Sequence, residues 1–351
     1  MKIHQKYILR CIELAKNGLG TTRPNPMVGC VIVCDDAIIG EGYTSPYGGN
    51  HAEVNAITSV KDKGLLEKAT LYVSLEPCNH YGKTPPCSDL IVKSKIPKVV
   101  IGVIDEHTIV AGKGIEHLKK NGCEVIVGVL ESECKESNKR FFTFHSKKRP
   151  YIILKWAETQ DGFVDLIREK DTEKKPNWIS NKYSQQLVHK WRSEEHAILV
   201  GTNTVIADNP KLNVRKWLGK NPIRLILDNS LRIPLDSHVF DGSVKTIVFT
   251  SSKTLFSEEK QNVIIEYVDY AADVPEQICD ILYKNNIQSL MIEGGTQTLQ
   301  GFINADLWDE ARVFIGNKKF GKGLKSPEIE GDVKLIEEID SDILKIINPL
   351  N

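Results

Sequence analysis

Three side chains that bind soft metals stand so far apart in this chain that only a folded domain can bring them together: His51, Cys78 and Cys87. One imidazole and two thiolates are the three protein ligands of a tetrahedral zinc that keeps its fourth position open for water. Thiolates suit zinc as soft ligands and must lose their protons to bind it. A helix beginning at His51, a strand over 70–75 and a helix from Ser88 are the elements next to these residues. Pro77, just ahead of Cys78, fits such a strand-to-helix junction, where a helix N-terminus favours the thiolate.

Glu53 follows His51 by two residues and need not touch the metal. The order H-x-E, then P-C, then a second cysteine is the chemical signature of a zinc deaminase. Zinc lowers the pKa of a bound water from about 15.7 towards roughly 7. A carboxylate beside that water can take its proton and pass it to a ring nitrogen and then to leaving ammonia. Alone, His-Ala-Glu is an ordinary helix start, and two cysteines are more often small buried hydrophobes. The order, the proline and the preceding strand together select the metal reading, with one zinc per chain. Eight residues separate the cysteines, where two are usual in nucleoside and base deaminases. That long loop reads as substrate-shaping, and His80 and Lys83 on it suit a polar or phosphorylated substrate.

At 351 residues the chain exceeds one ordinary core, so two domains are expected, over 1–146 and 150–351. Forty-six basic and 46 acidic residues cancel and are interspersed, so no basic field recruits nucleic acid. No apolar run approaches the ~20 residues of a membrane span, and the first residues lack a signal core. Eight cysteines without a framework point to a reducing cytoplasm rather than disulfides.

Periodicity in the first half predicts a helix over 3–17, strands over 27–33 and 37–42, and a helix from His51. The strand over 70–75, a helix from Ser88, a strand over 98–104, a helix over 114–121 and a strand over 123–129 follow. Such alternation implies a layered α/β/α sheet. The basic stretch 146–150 reads as a solvated linker. In the second half, strands are predicted over 151–157, 196–201, 223–227, 246–250, 263–268 and 289–292. Helices are predicted over 275–285 and 296–303, and from 177–180 to about Arg192 with Ser180 as N-cap. No element is evident between Asp161-Gly162 and Pro176. Glu293-Gly294-Gly295-Thr296 runs from strand to helix and presents backbone N–H groups where a pyrophosphate can sit. It is not the G-x-G-x-x-G fingerprint.

In its motifs the chain resembles the bifunctional riboflavin-biosynthesis deaminase/reductase family. Asn25-Pro26-Met27-Val28-Gly29, Gly40-Glu41-Gly42-Tyr43, His51-Ala52-Glu53-Val54 and the long cysteine loop match its deaminase half. Leu154-Lys155-Trp156-Ala157 with Asp161-Gly162, Asn177-Trp178-Ile179-Ser180, Gly201 to Pro210, Pro222-Ile223-Arg224 and Glu293-Gly294-Gly295 match its reductase half. The resemblance implies a cytidine-deaminase-like α/β/α zinc domain followed by a dihydrofolate-reductase-like α/β domain. It implies deamination of a phosphoribosylaminopyrimidine by Glu53 at the zinc, then reduction of the ribosyl group by NADPH. Ala157, Trp178, Thr204, Asp208, Asn229 and the loop Gly295, Thr296, Gln297, Thr298, Leu299, Gln300, Gly301 fall at NADPH positions. Arg192, Leu212, Arg215 and Glu293 fall at sugar-phosphate substrate positions, and Asn25, Lys155 and the loop residues His80 and Lys83 are further substrate-binding candidates. A planar guanidinium suits a phosphate dianion, which favours the two arginines. A dimer or tetramer of this chain is also implied.

Three positions depart from the family pattern. Pro176 stands where a serine usually touches substrate, Asn229 replaces a hydroxyl residue, and Thr44 follows Tyr43 where many relatives have histidine. Two rival classes fare worse. A nucleic-acid base editor with an appended module would show a shorter cysteine spacing and a basic face. A scaffold with a relict zinc site would have lost Glu53 or the phosphate arginines.

Overall fold

The computed structural model describes residues 2–81, 85–106, 112–168, 176–252 and 260–350. Its chain forms two compact units, Met1–Lys148 and Arg149–Asn351. Among the described residues, no helix is long and apolar enough to cross a membrane.

The first unit is built on strands β1 (Gly29–Cys34), β2 (Ala37–Tyr43), β3 (Thr70–Leu75), β4 (Lys98–Val103) and β5 (Glu124–Val127). Their order is β2-β1-β3-β4-β5, antiparallel around β1 and parallel from β3 onward. The central strands β1, β3 and β4 are buried almost throughout, as expected of strands covered on both faces. Helix α1 (Lys2–Ala15) buries Tyr7, Ile8, Cys11 and Ile12 on β1 and β3. Helix α2 (Ala52–Ser59) packs on β2 and β1 and touches α3 (Cys87–Lys93), which in turn meets α4 (Lys113–Lys120).

Two further helices, α5 (Glu131–Ser137) and α6 (Lys139–Lys147), occupy a stretch where the sequence predicted no element. At their junction Asn138 is buried. Its amide accepts from Met27 N at 2.8 Å and donates to Met27 O at 2.7 Å, tying down the loop that carries Asn25. Helix α6 also takes in the start of the expected linker. Nor is 146–150 uniformly solvated: Arg149 is buried and forked to Asp309, at 2.5 and 2.9 Å.

The second unit centres on a nine-stranded sheet. Its strands are β6 (Tyr151–Thr159), β8 (Ala197–Gly201), β9 (Ile223–Leu227), β10 (Thr246–Thr250), β11 (Val263–Tyr267), β12 (Ser289–Gly294), β13 (Glu310–Gly316), β15 (Asp332–Ile339) and β16 (Asp342–Asn348). The order is β11-β10-β9-β8-β12-β6-β13-β16-β15, parallel except for the C-terminal pairings with β16. A short ribbon pairs β7 (Phe163–Asp165) with β14 (Leu324–Lys325), so the stretch before Pro176 does hold a strand. Alternate residues of β6 enter opposite cores. Ile152 and Leu154 pack with α9 (Val274–Lys284) and α10 (Thr296–Asn304), whereas Tyr151 and Ile153 pack with α7 (Lys182–Glu194) and α8 (Thr202–Asp208). Period-two alternation on a sheet buried on both faces produces this division.

Helix α7 begins one residue later than its predicted cap. Asn181, not Ser180, accepts from Tyr183 N and Ser184 N, while its own amide donates to Ile339 O at 2.6 Å. The expected N-cap therefore shifts because a contact from β15 holds Asn181 in place.

Candidate active sites

In the first unit, the end of β3 and the starts of α2 and α3 meet at one point. His51 is the extended residue before α2, Cys78 follows β3 by three residues, and Cys87 opens α3. His51 Nδ1 lies 3.6 Å from Cys78 Sγ and 3.3 Å from Cys87 Sγ, and all three donor atoms fall within 4.8 Å. A tetrahedron with bonds of about 2.0 Å to nitrogen and about 2.3 Å to sulfur has an N–S edge of roughly 3.5 Å. The donor set and its spacing therefore fit zinc. The Cys78 thiol is lowered to about 4, chiefly by its hydrogen bond with Cys87 and also by His51. The Cys87 backbone N–H points at the same sulfur from 3.4 Å.

Glu53, in the first turn of α2, is buried beside this cluster. Burial, and next the negative Cys78 sulfur, push its carboxyl up to about 7. Ser88 closes the cysteine loop by donating to Asn79 Oδ1 at 2.8 Å, and Ser88 N donates to Cys78 O.

Sequence reasoning missed Glu76. Its carboxylate accepts from the backbone N–H groups of Asp105, Gly112, Gly114 and Ile115, at 2.9–3.3 Å. One side chain thus ties the residues after β4 and the start of α4 to the strand that delivers Cys78. Gly114 is required there, since a Cβ would lie 2.0 Å from Pro77 O. The available signal was an acidic residue ending an apolar strand.

In the second unit a cavity of about 1040 Å³ opens at the C-terminal ends of the parallel strands β6, β8, β9 and β12. Ligand crevices of open α/β sheets form at such edges. Glu293, at the end of β12, accepts from Arg192 Nε and Nη2, both at 2.7 Å, and lies 3.6 Å from Lys155 Nζ. Burial alone would raise this carboxyl, yet Arg192 and Lys155 hold it at about 2. Burial lowers the Lys155 ammonium, and Glu293 opposes that shift. On the same lining, Asp208 is held by Arg168 at 2.6 Å, and Arg168 also donates to Ala207 O.

The turn from β12 into α10 lines the same cavity. Gly295 has φ +81°, and a Cβ on Gly294 would meet Thr204 Cγ2 at 2.8 Å. The bare backbone there leaves room for a phosphate group to approach the N–H groups of α10.

Two family models match this chain: the zinc-binding region of cytidine and deoxycytidylate deaminases over residues 1–103, and the RibD C-terminal domain over 150–344. The riboflavin biosynthesis protein RibD of Aquifex aeolicus is 39% identical, covering 96% of this chain and 93% of its own length. The chain belongs to the RibD family. RibD of Escherichia coli is 32% identical over 90% of this chain and 88% of its own. The crystal structure of a diaminohydroxyphosphoribosylaminopyrimidine deaminase/5-amino-6-(5-phosphoribosylamino)uracil reductase from Thermotoga maritima superposes with a TM-score of 0.90. It is 39% identical and covers 99% of both chains. A RibD structure from Acinetobacter baumannii gives 0.87 at 32% identity, covering 100% of this chain and 99% of that one. RibD proteins join a deaminase to a reductase in riboflavin biosynthesis, and this chain carries both regions.

Most expected RibD reductase residues share the cavity. Ala157, Trp178, Thr204, Asp208, Asn229, Gly295 to Leu299 and Gly301 line it, as do Lys155, Arg192, Leu212, Arg215 and Glu293. Gln300 is not among the lining residues: it donates to Asn304 Oδ1 and accepts from Glu328 N. Pro176 lines the wall without a hydroxyl to offer. In the deaminase unit, the Thr44 hydroxyl is spent on the Val28 backbone. Asn25 is half-buried and His80 exposed; among the described residues no hydrogen bond joins either side chain to the His–Cys–Cys cluster. Lys83 lies outside the described residues.

Proposed function

We propose that this chain performs two consecutive steps of riboflavin biosynthesis. The first is hydrolytic deamination of 2,5-diamino-6-(5-phosphoribosylamino)pyrimidin-4(3H)-one. The second is NADPH-dependent reduction of 5-amino-6-(5-phosphoribosylamino)uracil to its ribityl counterpart. The observation that carries the reading is the convergence of His51 Nδ1, Cys78 and Cys87 beside the buried carboxyl of Glu53.

His51, Cys78 and Cys87 would hold one zinc, which would supply an acidified water as nucleophile at neutral pH. Glu53 would take one proton from the attacking water and deliver it to the ring nitrogen, then take the second from the new hydroxyl as the carbonyl forms and pass it to the leaving amino group, which departs as ammonia. A carboxyl near 7 suits both halves of that exchange, because it takes up and releases a proton with little penalty at working pH. Glu76 keeps the Cys78 strand and α4 in register while this happens.

In the second unit NADPH supplies the hydride when bound. The α10 N-terminus and the Gly294-Gly295 turn would hold its pyrophosphate, and Trp178, Thr204, Asp208 and Asn229, which line the same cavity, would contact the cofactor. Arg215 meets the substrate phosphate as a charged donor. Lys155, Arg192 and Glu293 form the rigid floor against which the sugar is oriented. The same reading has the chain working in the cytoplasm, where a reducing compartment preserves thiolate ligands, and as a dimer or tetramer.

Incubating the zinc-loaded chain with the diaminopyrimidine, with and without NADPH, and weighing the products by mass spectrometry tests the proposal. Without NADPH the product has exchanged one amino group for oxygen, with release of ammonia. With NADPH it gains two hydrogens besides. No ammonia release from a folded, zinc-loaded chain overturns the first half, and no hydrogen uptake overturns the second.

A further inference from the structure

We infer that His189 is a substrate-binding residue of the reductase cavity, donating from Nε2 to the sugar-phosphate end of the substrate beside Arg215. The inference rests on the reductase reading above. His189 lies on α7, one turn before Arg192, and lines the cavity while only 3% exposed. Its Nδ1 accepts from the Arg215 backbone N–H at 3.2 Å. A neutral imidazole that accepts at Nδ1 carries its proton at Nε2. Nε2 takes no hydrogen-bond partner among the described residues, so a directed donor is left for a ligand.

The surroundings say what that ligand is. Arg192 is forked to Glu293, so its charge is already met inside the wall. Arg215 bonds only the Asn213 side chain from its guanidinium and has no carboxylate partner among the described residues. An oxyanion entering here therefore finds an uncommitted cation, Arg215, and beside it the ring that pins the Arg215 backbone; Lys211 and Arg232, also on the cavity lining, have no carboxylate partner among the described residues either. Pro176, also on this wall, offers neither a hydroxyl nor an N–H. His189 fills the shortage with a donor from α7. The charged groups facing the ring are Arg192, Arg215, Lys216 and Glu293; burial first, and then the cations, hold it at about 4. At working pH it is an uncharged donor whose orientation Arg215 sets.

Two substitutions separate donation from scaffolding. Gln at this position places an amide N–H where Nε2 stands but loses the acceptor for Arg215, whereas Asn keeps that acceptor and lacks the distal donor. His189→Asn is expected to raise KM for 5-amino-6-(5-phosphoribosylamino)uracil by roughly tenfold or more. Binding of ribose 5-phosphate, measured by calorimetry on the full chain, should weaken in parallel. KM for NADPH and the unfolding temperature should hold, and His189→Gln should recover most of both losses. The reverse pattern, Asn sparing function and Gln losing it, makes His189 a mere prop and overturns the inference. So do two variants that both match the parent, or that both fail while folded. If Asn prevents folding, His189→Gln alone decides: ribose 5-phosphate binding near the parent value supports donation, and its loss refutes it. A parent chain that binds ribose 5-phosphate but never oxidises NADPH with the substrate refutes the reductase reading, not the role of His189.

Discussion

Arg192 and Glu293, 101 residues apart in sequence, form a two-pronged ion pair at the floor of the reductase cavity, each prong 2.7 Å long. Removing one member of a buried pair leaves the other uncompensated, at a cost of about 3–5 kcal/mol. Glu293→Gln should lower stability by that order at neutral pH. The Glu293 carboxyl titrates near 2 in the folded chain, against about 4.3 unfolded, so its contribution is present above about 4.3 and is lost as pH falls towards 2. Denaturant unfolding of parent and variant should thus show a gap that narrows over this range. A gap independent of pH would mean that Glu293 is not held as the anion.

The metal prediction is direct. Elemental analysis of the purified chain should find one zinc per chain, and Cys78→Ala or Cys87→Ala should remove it, since either leaves two ligands of the three. Full zinc content in a folded Cys87→Ala protein would sink the assignment.

Glu53→Gln should keep zinc and fold while slowing ammonia release by about 10²–10⁴-fold, the usual contribution of a general acid/base. Reduction of the deaminated intermediate, supplied separately, should proceed as in the parent. Near-normal deamination would reduce Glu53 to a structural residue.

Glu76→Ala strips four backbone N–H groups of their acceptor. Each buried donor left unmet costs about 1–3 kcal/mol before relaxation. Amide hydrogen exchange should accelerate at Gly114 and Ile115 and deaminase turnover should fall, with NADPH oxidation unaffected. Unchanged exchange at those amides would show that another group holds α4.

Gly295→Ala places a Cβ on a residue with φ +81°, within 3.4 Å of both Thr298 Oγ1 and Thr204 Oγ1. Strain of about 1–3 kcal/mol in that backbone should weaken NADPH binding, read by fluorescence titration, by roughly 5- to 150-fold. Zinc content and ammonia release should not move. An unaltered NADPH affinity would remove the α10 turn from the cofactor site.

The residues legible in the sequence were those whose chemistry is local or carried by a motif. His51, Glu53, Cys78 and Cys87 announce a metal through residue type and order, and the strand over 70–75 through its unbroken apolar run. Glycines and a strand-to-helix step exposed the α10 turn. Misreadings arose where distant partners decide. Ser180 and Asn181 are both competent caps, and the Ile339 carbonyl and the Asp342 carboxylate, 158 and 161 residues on, hold Asn181 in place. The basic run before Pro150 resembles a linker until Asp309, 160 residues away, draws Arg149 inside.

The sequence by itself thus determined two domains and a His–Cys–Cys donor set with Glu53 beside it, because ligand chemistry and periodic burial are properties of residue type and short spacing; the two arginines came only through the family its motifs resemble. The tertiary structure decided which of those groups are free to act. Arg192 is spent on Glu293 and Thr44 on Val28, while Arg215 and His189 keep donors for a ligand and Glu76 gathers four amides into one anchor. A polar group's availability depends on what else reaches it, and long-range packing alone brings those partners within the roughly 3 Å over which a hydrogen bond acts.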